Sequence, residues 1–195
     1  MAFWPVTIYK RTNKIVKEIN DEKLIIEVKN GNLDALVPLF DKYQGKIYNF
    51  FLRVTHDPTS SEDLTQTVFS RIIKYRSSYN EVYSFKSWIY QIARNVHVDS
   101  YSKKKLWMTD EKLEENYEGD SRNAMDEMEK ESRRETLKEA LGLLSPEYRE
   151  IIELSRFQDL KYEEISQITG NSVGAVRVKV HRAIKKLKDV YFQIA

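Results

Sequence analysis

Apolar residues recur along this chain at intervals of three and four, the spacing of helices that bury one face. Leu24, Ile25 and Val28 begin the pattern after Asp21 and stop at Asn30-Gly31-Asn32. Leu33 to Val54 carries Ala35, Leu36, Leu39, Phe40, Tyr43, Ile47, Phe50, Phe51 and Val54, predicting a long amphipathic helix that ends at His56-Asp57-Pro58. A third helix is expected to start near Ser61, capped by Ser60 or Ser61, with Glu62 and Asp63 in its first turn and Leu64, Val68, Phe69, Ile72 and Ile73 inward. The polar, tyrosine-bearing stretch Ser77 to Ser84 reads as a loop. A fourth helix, FKSWIYQIARNVHVDSYSKKK, follows with Trp88, Ile89, Ile92, Ala93 and Val96 inward.

The pattern then lapses. Residues 106–131 hold Asp110, Glu111, Glu114, Glu115, Glu118, Asp120, Asp126, Glu127 and Glu129 with few apolar positions, so they read as an acidic, flexible linker. Periodicity returns with Leu137, Ala140, Leu141 and Leu144. Ser145-Pro146-Glu147 restarts a helix as cap, first-turn proline and first-turn acid, and Tyr148, Ile151, Ile152 and Leu154 line it. In Tyr162 to Lys188, a helix with Ile165 and Ile168 on one face meets Thr169-Gly170-Asn171. Gly170 suits the left-handed residue that closes a helix, and Ser172 suits the cap of the next. That last helix buries Val173, Val176, Val180, Ala183, Ile184 and Leu187.

The expected fold is therefore all-α. Two small helical domains, residues 23–105 and 132–195, flank the linker 106–131, after an N-terminal extension at 1–22. Residues Met1 to Asn20 fit an extended piece docked on the domain and a disordered leader equally well.

Composition narrows the function. The chain has 195 residues, 41% hydrophobic and 32% charged, with a formal net charge of +2, so any nucleic-acid surface must come from segregated charge. Cysteine is absent, which excludes disulfides and thiolate metal sites. No apolar run reaches membrane-spanning length, and the N-terminus lacks a signal-peptide pattern, so the expectation is a cytoplasmic protein that is not membrane-inserted. His56, His97 and His181 are scattered, and no phosphate-binding glycine loop or nucleophile elbow occurs. The chain is expected to hold no metal or cofactor and to have no catalytic residues.

Two places carry candidate chemistry. The pair of helices around Gly170 has helix-turn-helix form, and its second helix exposes Arg177, Lys179, His181, Arg182, Lys185 and Lys186, as a helix entering a DNA major groove requires. An ordinary helical hairpin with a solvated basic face would share most of these features. Around the loop at Ser77 to Ser84, Tyr75, Tyr79, Tyr83, Phe85 and Tyr90 are interleaved with Lys74, Arg76, Lys86, Arg94, Asn95 and Lys103-Lys104-Lys105. Rings that stack bases beside cations that track phosphates suit a single strand. Trp88 fits that role and a core role equally.

Taken together, SSEDLTQTVFSRI, FKSWIYQIARNVHVD and LSPEYREIIELSRFQDLKYEEISQITGNSVGAVRVKVHRAIKKL, in that order, resemble the bacterial extracytoplasmic-function sigma factors of the sigma-70 family. The resemblance covers roughly Leu24 to Leu187. It implies that the first domain is sigma region two, with Asp63, Gln66 and Arg71 docking on the clamp of the largest subunit of core RNA polymerase. It implies that Tyr79, Asn80, Ser84, Phe85, Lys86, Trp88, Arg94 and Asn95 handle the melted minus-ten element. It also implies that the C-terminal domain is region four, reading the minus-thirty-five element of promoter DNA through Ser172, Gly174, Arg177, Lys179, His181, Arg182 and Lys185. Arg177 and His181, one turn apart, are placed to reach base edges, and Lys179, Arg182 and Lys185 to touch phosphates. Val178 departs from the family's small polar residue; it fits a thymine contact or the core. Such a factor is not an enzyme, and an anti-sigma factor is its expected partner. A helix-turn-helix regulator acting on duplex DNA without polymerase is the alternative, and it leaves the aromatic loop and the helix of Asp63 without a role. A recombinase with an accessory helix-turn-helix would need clustered catalytic acids, and the acids here gather in the linker.

Overall fold

The structure, a computed structural model, describes residues 20–107 and 125–195. Among them all regular structure is helical: α1 (Asp21–Lys29), α2 (Leu36–Thr55), α3 (Pro58–Tyr75), α4 (Phe85–Trp107), α5 (Met125–Gly142), α6 (Pro146–Ile152), α7 (Tyr162–Thr169) and α8 (Val173–Ile194). Single 3-10 turns occupy Leu33–Ala35 and Arg76–Ser78, and a π-helical turn occupies Glu153–Phe157.

Helices α1 to α4 form the first domain. α2 packs along α3, and α3 along α4, over Ile25, Leu39, Ile47, Phe50, Phe51, Val68, Ile72, Phe85, Ile89 and Ala93. The expected inward positions largely hold, but Ile73 lies at the surface. The long second helix is divided at its start. The Asn32 amide, placed where a cap would be, donates to Glu27 Oε2 at 3.0 Å instead, and the chain winds one tight turn before α2.

α3 begins earlier than its Ser60 or Ser61 cap reading. His56 closes α2 in the left-handed region at φ 56°, and Asp57 at once caps the next helix by accepting from the amides of Thr59 (3.1 Å) and Ser60 (3.3 Å). Pro58 follows at the first helical position, where a missing N–H costs nothing. Ser61 is instead a buried helical residue whose hydroxyl donates to Asp57 O at 2.6 Å. The same Pro58 that ends one helix starts the other.

Helices α5 to α8 form the second domain around Ala140, Ile151, Ile152, Leu154, Ile165, Ile168, Val176, Val180 and Ala183. Ser145 caps α6 as expected, accepting from Tyr148 N. Gly170 takes φ 72° and its N–H reaches Ser166 O at 2.9 Å, while the Ser166 hydroxyl ties the turn by donating to Asn171 O at 2.6 Å. Ser172 caps α8 through Ala175 N at 3.2 Å. α8 continues past Lys188 to Ile194, with Val190 buried.

The extension 1–22 lies outside the described residues up to position 19, and the linker 106–131 lies outside them over 108–124. At the linker's two ends regular helix continues, to Trp107 and from Met125.

Candidate nucleic-acid interfaces

The cap and glycine turn place α8 with one face on the domain core and the other in solvent. Ser172, Gly174, Arg177, His181, Arg182 and Lys185 all lie on the exposed side, so the structure brings these sequence-predicted residues onto one surface. Lys179 is half-buried there, its Nζ 3.0 Å from Glu147 Oε2 of α6. Val178 is 49% exposed, which removes its core reading. A Cβ built on Gly174 meets nothing within 4 Å, so packing inside the chain does not demand glycine there.

The loop before α4 is built from beneath. Tyr79, Phe85 and Trp88 are buried, Tyr79 and Trp88 edge to face with ring centroids 5.2 Å apart, and Phe85 against Tyr43 at the same separation. In this conformation these rings support the loop as core residues. The Tyr79 hydroxyl donates to Tyr83 O at 2.8 Å, Lys29 Nζ donates to Tyr79 O at 3.0 Å, and Asn80 Oδ1 accepts from Val82 N at 3.0 Å. Burial first, then the charges of Glu22 and Glu81, push the Tyr79 hydroxyl up to about 12, so it stays a neutral donor. Asn80, Tyr83 and Asn95 face solvent, while Ser84, Lys86 and Arg94 are half-buried.

On the outer side of α3, Asp63, Gln66 and Arg71 line one shallow groove with Thr67, Ser70 and Lys74. Arg71 Nη2 is anchored to Asp99 Oδ2 of α4 at 2.7 Å.

The half-buried state of Ser84, Lys86 and Arg94 has a definite cause: the second domain covers them. Glu164 of α7 accepts from the hydroxyls of Ser84 and Ser87, each at 3.0 Å. Lys86 Nζ donates to Asp159 O at 3.4 Å, and Arg94 Nε lies 2.9 Å from Glu150 Oε1. Deeper in, Glu153 is 1% exposed and receives Arg53 through both carboxylate oxygens, at 2.6 and 2.9 Å. Gln158 Nε2 donates to Glu153 Oε1 at 2.7 Å, and the Tyr90 hydroxyl donates to Gln158 Oε1. Burial pushes the Glu153 and Glu150 carboxyls up, and it outweighs the opposing guanidinium of Arg53 or Arg94. Burial acts on Glu164 in the same sense, but the Lys161 amide, the two serine hydroxyls and Lys86 together hold that carboxyl below its ordinary value. None of these acids, nor Ser87, stands out in the sequence. Glu163 and Glu164 are both acids of the first turn of α7, a position where acids are common.

Residues 39–106 match the family Sigma-70 region 2, and residues 134–187 match Sigma-70, region 4. The RNA polymerase sigma factor YlaC of Bacillus subtilis is 30% identical over 159 residues, 80% of this chain and 91% of that protein. The chain belongs to the extracytoplasmic-function sigma factors of the sigma-70 family. The sigma factor SigW of Bacillus subtilis, 28% identical, is matched over 88% of this chain and 96% of its own. In fold the chain is similar to the sigma factor RpoE solved with the anti-sigma factor NepR from Bartonella quintana, with a TM-score of 0.64 and 20% identity over 78% of this chain and 93% of that one. Helices α2 to α4 are thus sigma region two, and α5 to α8 region four. Among the described residues no helix is long and apolar enough to cross a membrane.

Proposed function

We infer that this chain is a promoter-specificity subunit: it directs core RNA polymerase to particular promoters and assists opening of the duplex at initiation. The observation that carries the reading is the presence of both sigma regions, in order, on one chain that is 30% identical to a sigma factor over nearly the whole of that protein. A duplex-binding regulator would use region four alone and leave region two without a task. Polymerase performs the chemistry, so the chain is not an enzyme by itself, and it works in the cytoplasm where polymerase is.

Region four reads the minus-thirty-five element with the exposed face of α8. Arg177 and His181 reach base edges, while Lys179, Arg182 and Lys185 hold phosphates, with Ser172 and Gly174 at the helix N-terminus allowing close approach. Region two receives the melted minus-ten strand at Asn80, Ser84, Lys86, Arg94 and Asn95. The buried rings of Tyr79, Phe85 and Trp88 hold the loop's shape beneath it. Asp63, Gln66 and Arg71 dock on the polymerase clamp, and an anti-sigma factor is the regulatory partner.

The test is runoff transcription with sigma-free bacterial core polymerase on a pooled genomic promoter library, with and without the chain. Specific transcripts sharing two spaced upstream elements are expected; an unmoved polymerase would remove the reading. On a promoter found in this way, Arg177→Ala is expected to weaken use by about 1–3 kcal/mol through the minus-thirty-five element alone. Asp63→Arg is expected to abolish core binding with the helical spectrum unchanged.

A further inference from the structure

The bases differ in one apolar feature of the major groove. Thymine carries a C5 methyl group there, and the other three bases are told apart by hydrogen-bonding atoms. A side chain that reads thymine by contact must be apolar, exposed and near the floor of the groove. Val178 meets these demands. Of the large apolar side chains of α8, Val178 and Phe192 are the exposed ones, and Phe192 stands at the far end of the helix. Gly174, Arg177, Val178, His181, Arg182 and Lys185 recur at intervals of three and four on the exposed side. The valine therefore sits in the middle of the face offered to DNA.

Packing within the chain does not account for this residue, since nearly half of it is open to solvent. Helix propensity does not either, because a branched side chain loses rotamer freedom in a helix and lysine or alanine would suit the position better. Valine is also short, so it reaches a base only where the helix backbone comes close. Gly174 stands one turn before it, and no atom of the chain lies within 4 Å of where its Cβ would be. The missing side chain leaves room for that approach. The branched side chain is held near one rotamer, so it gives up little freedom when a methyl group packs against it.

We propose that Val178 reads the methyl group of one thymine in the minus-thirty-five element. This rests on the sigma reading above and deepens it by assigning a base. Arg177 and Arg182 act by donating hydrogen bonds and are blind to the methyl group, so the distinction between thymine and uracil falls to Val178. Ala175 is the neighbouring exposed apolar residue and supplies the control.

Deoxyuridine in place of thymine removes the methyl group and keeps every hydrogen-bonding atom of the base. On a promoter found by runoff transcription, each thymine on either strand of the minus-thirty-five element is exchanged in turn. Promoter use by the full chain with core polymerase is then measured. With the wild type, one exchange is expected to lower use by roughly threefold to fivefold, the factor for one buried methyl-sized group, and the rest to leave it nearly unchanged. Val178→Ser is expected to use the two forms of that promoter equally, and Ala175→Ser to keep the difference. Thermal melts of Val178→Ser are expected to match the wild type, which separates lost discrimination from lost fold. A minus-thirty-five element without thymine on either strand would overturn the proposal. So would a wild type indifferent to every exchange, an effect that survives in Val178→Ser, or one that Ala175→Ser removes instead. Transcripts are present in all these cases, so the contact goes while the sigma reading stands. If no specific transcript forms, the exchanges are made in duplexes selected from a random-sequence library by the chain alone. A methyl effect there that Val178→Ser abolishes keeps the contact without the sigma reading, and its absence removes both.

Discussion

His97 is half-buried on α4, and burial first, then the charges of Arg149 and Arg94, hold its imidazole below the ordinary value. The unfolded chain therefore takes up this proton before the folded one as pH falls through about 6.5, and between the two values the unfolded state binds more protons. Stability from this group is complete above that pH and is lost on acidification. Glu150 and Glu153, with raised carboxyls, act in the opposite sense at lower pH. His97→Gln is expected to flatten the loss of melting temperature between about pH 7 and 5.5 while leaving the more acidic part of the curve as it was. Paired thermal melts of wild type and variant check this. Gly174 separates packing from recognition. With open space where its side chain would be, Gly174→Ala is expected to stabilise region four by about 0.5 kcal/mol through helix propensity. The same change is expected to weaken duplex binding if the DNA backbone lies against that position. Chemical denaturation and a promoter-fragment titration measure the two effects independently.

At the scale of elements, helix caps carry much of the domain boundaries' definition. Asp57 accepts two backbone amides and the Ser60 hydroxyl at the head of α3. Asp57→Ala is expected to cost about 1 kcal/mol or more, and Ser60→Ala clearly less, in denaturation of the intact chain. The opposite ranking would support the cap assignment suggested by sequence. The eight helices were legible because each carries apolar residues at helical spacing, and the turn of the helix-turn-helix was legible because Gly170 and Ser172 have few other reasons to stand where they do. What stayed hidden were features with no compositional mark. The head of α3 was obscured because Pro58 signals the end of one helix and the beginning of another in the same residue. The π-turn at Glu153–Phe157 carries no sequence pattern of its own, yet it stands beside the pairing of Glu153 with Gln158. In sequence the rings around the loop suit base stacking, with Trp88 equally suited to the core, whereas Tyr79, Phe85, Trp88 and Tyr90 are all buried. Interleaved cations cannot tell a ring that faces a base from one that lies under the loop.

For the whole molecule, the contact between regions two and four could not be read in advance, since Glu150, Glu153 and Glu164 belong to helices in which acids are ordinary. Their meaning comes only from what lies opposite. That contact and the DNA surface differ in how they meet salt. Charges at the exposed face of α8 and their phosphate partners are strongly screened, because the Debye length falls from about 10 Å at 0.1 M to about 3 Å at 1 M. In the Arg53–Glu153 pair the carboxylate is almost sealed from solvent, though the arginine side chain is 32% exposed, so this pair is screened less than charges on the open surface. Raising sodium chloride from about 0.05 to 0.5 M is therefore expected to lower duplex affinity steeply while leaving the separation of the two domains in the free chain, measured by small-angle X-ray scattering, nearly constant. A parallel collapse of both would assign the contact to loose surface attraction. The absence of cysteine has a consequence of a different kind. With no thiol to oxidise, the chain offers a thiol-specific oxidant such as diamide nothing to act on. Any response of its transcripts to that reagent has to arrive through another protein.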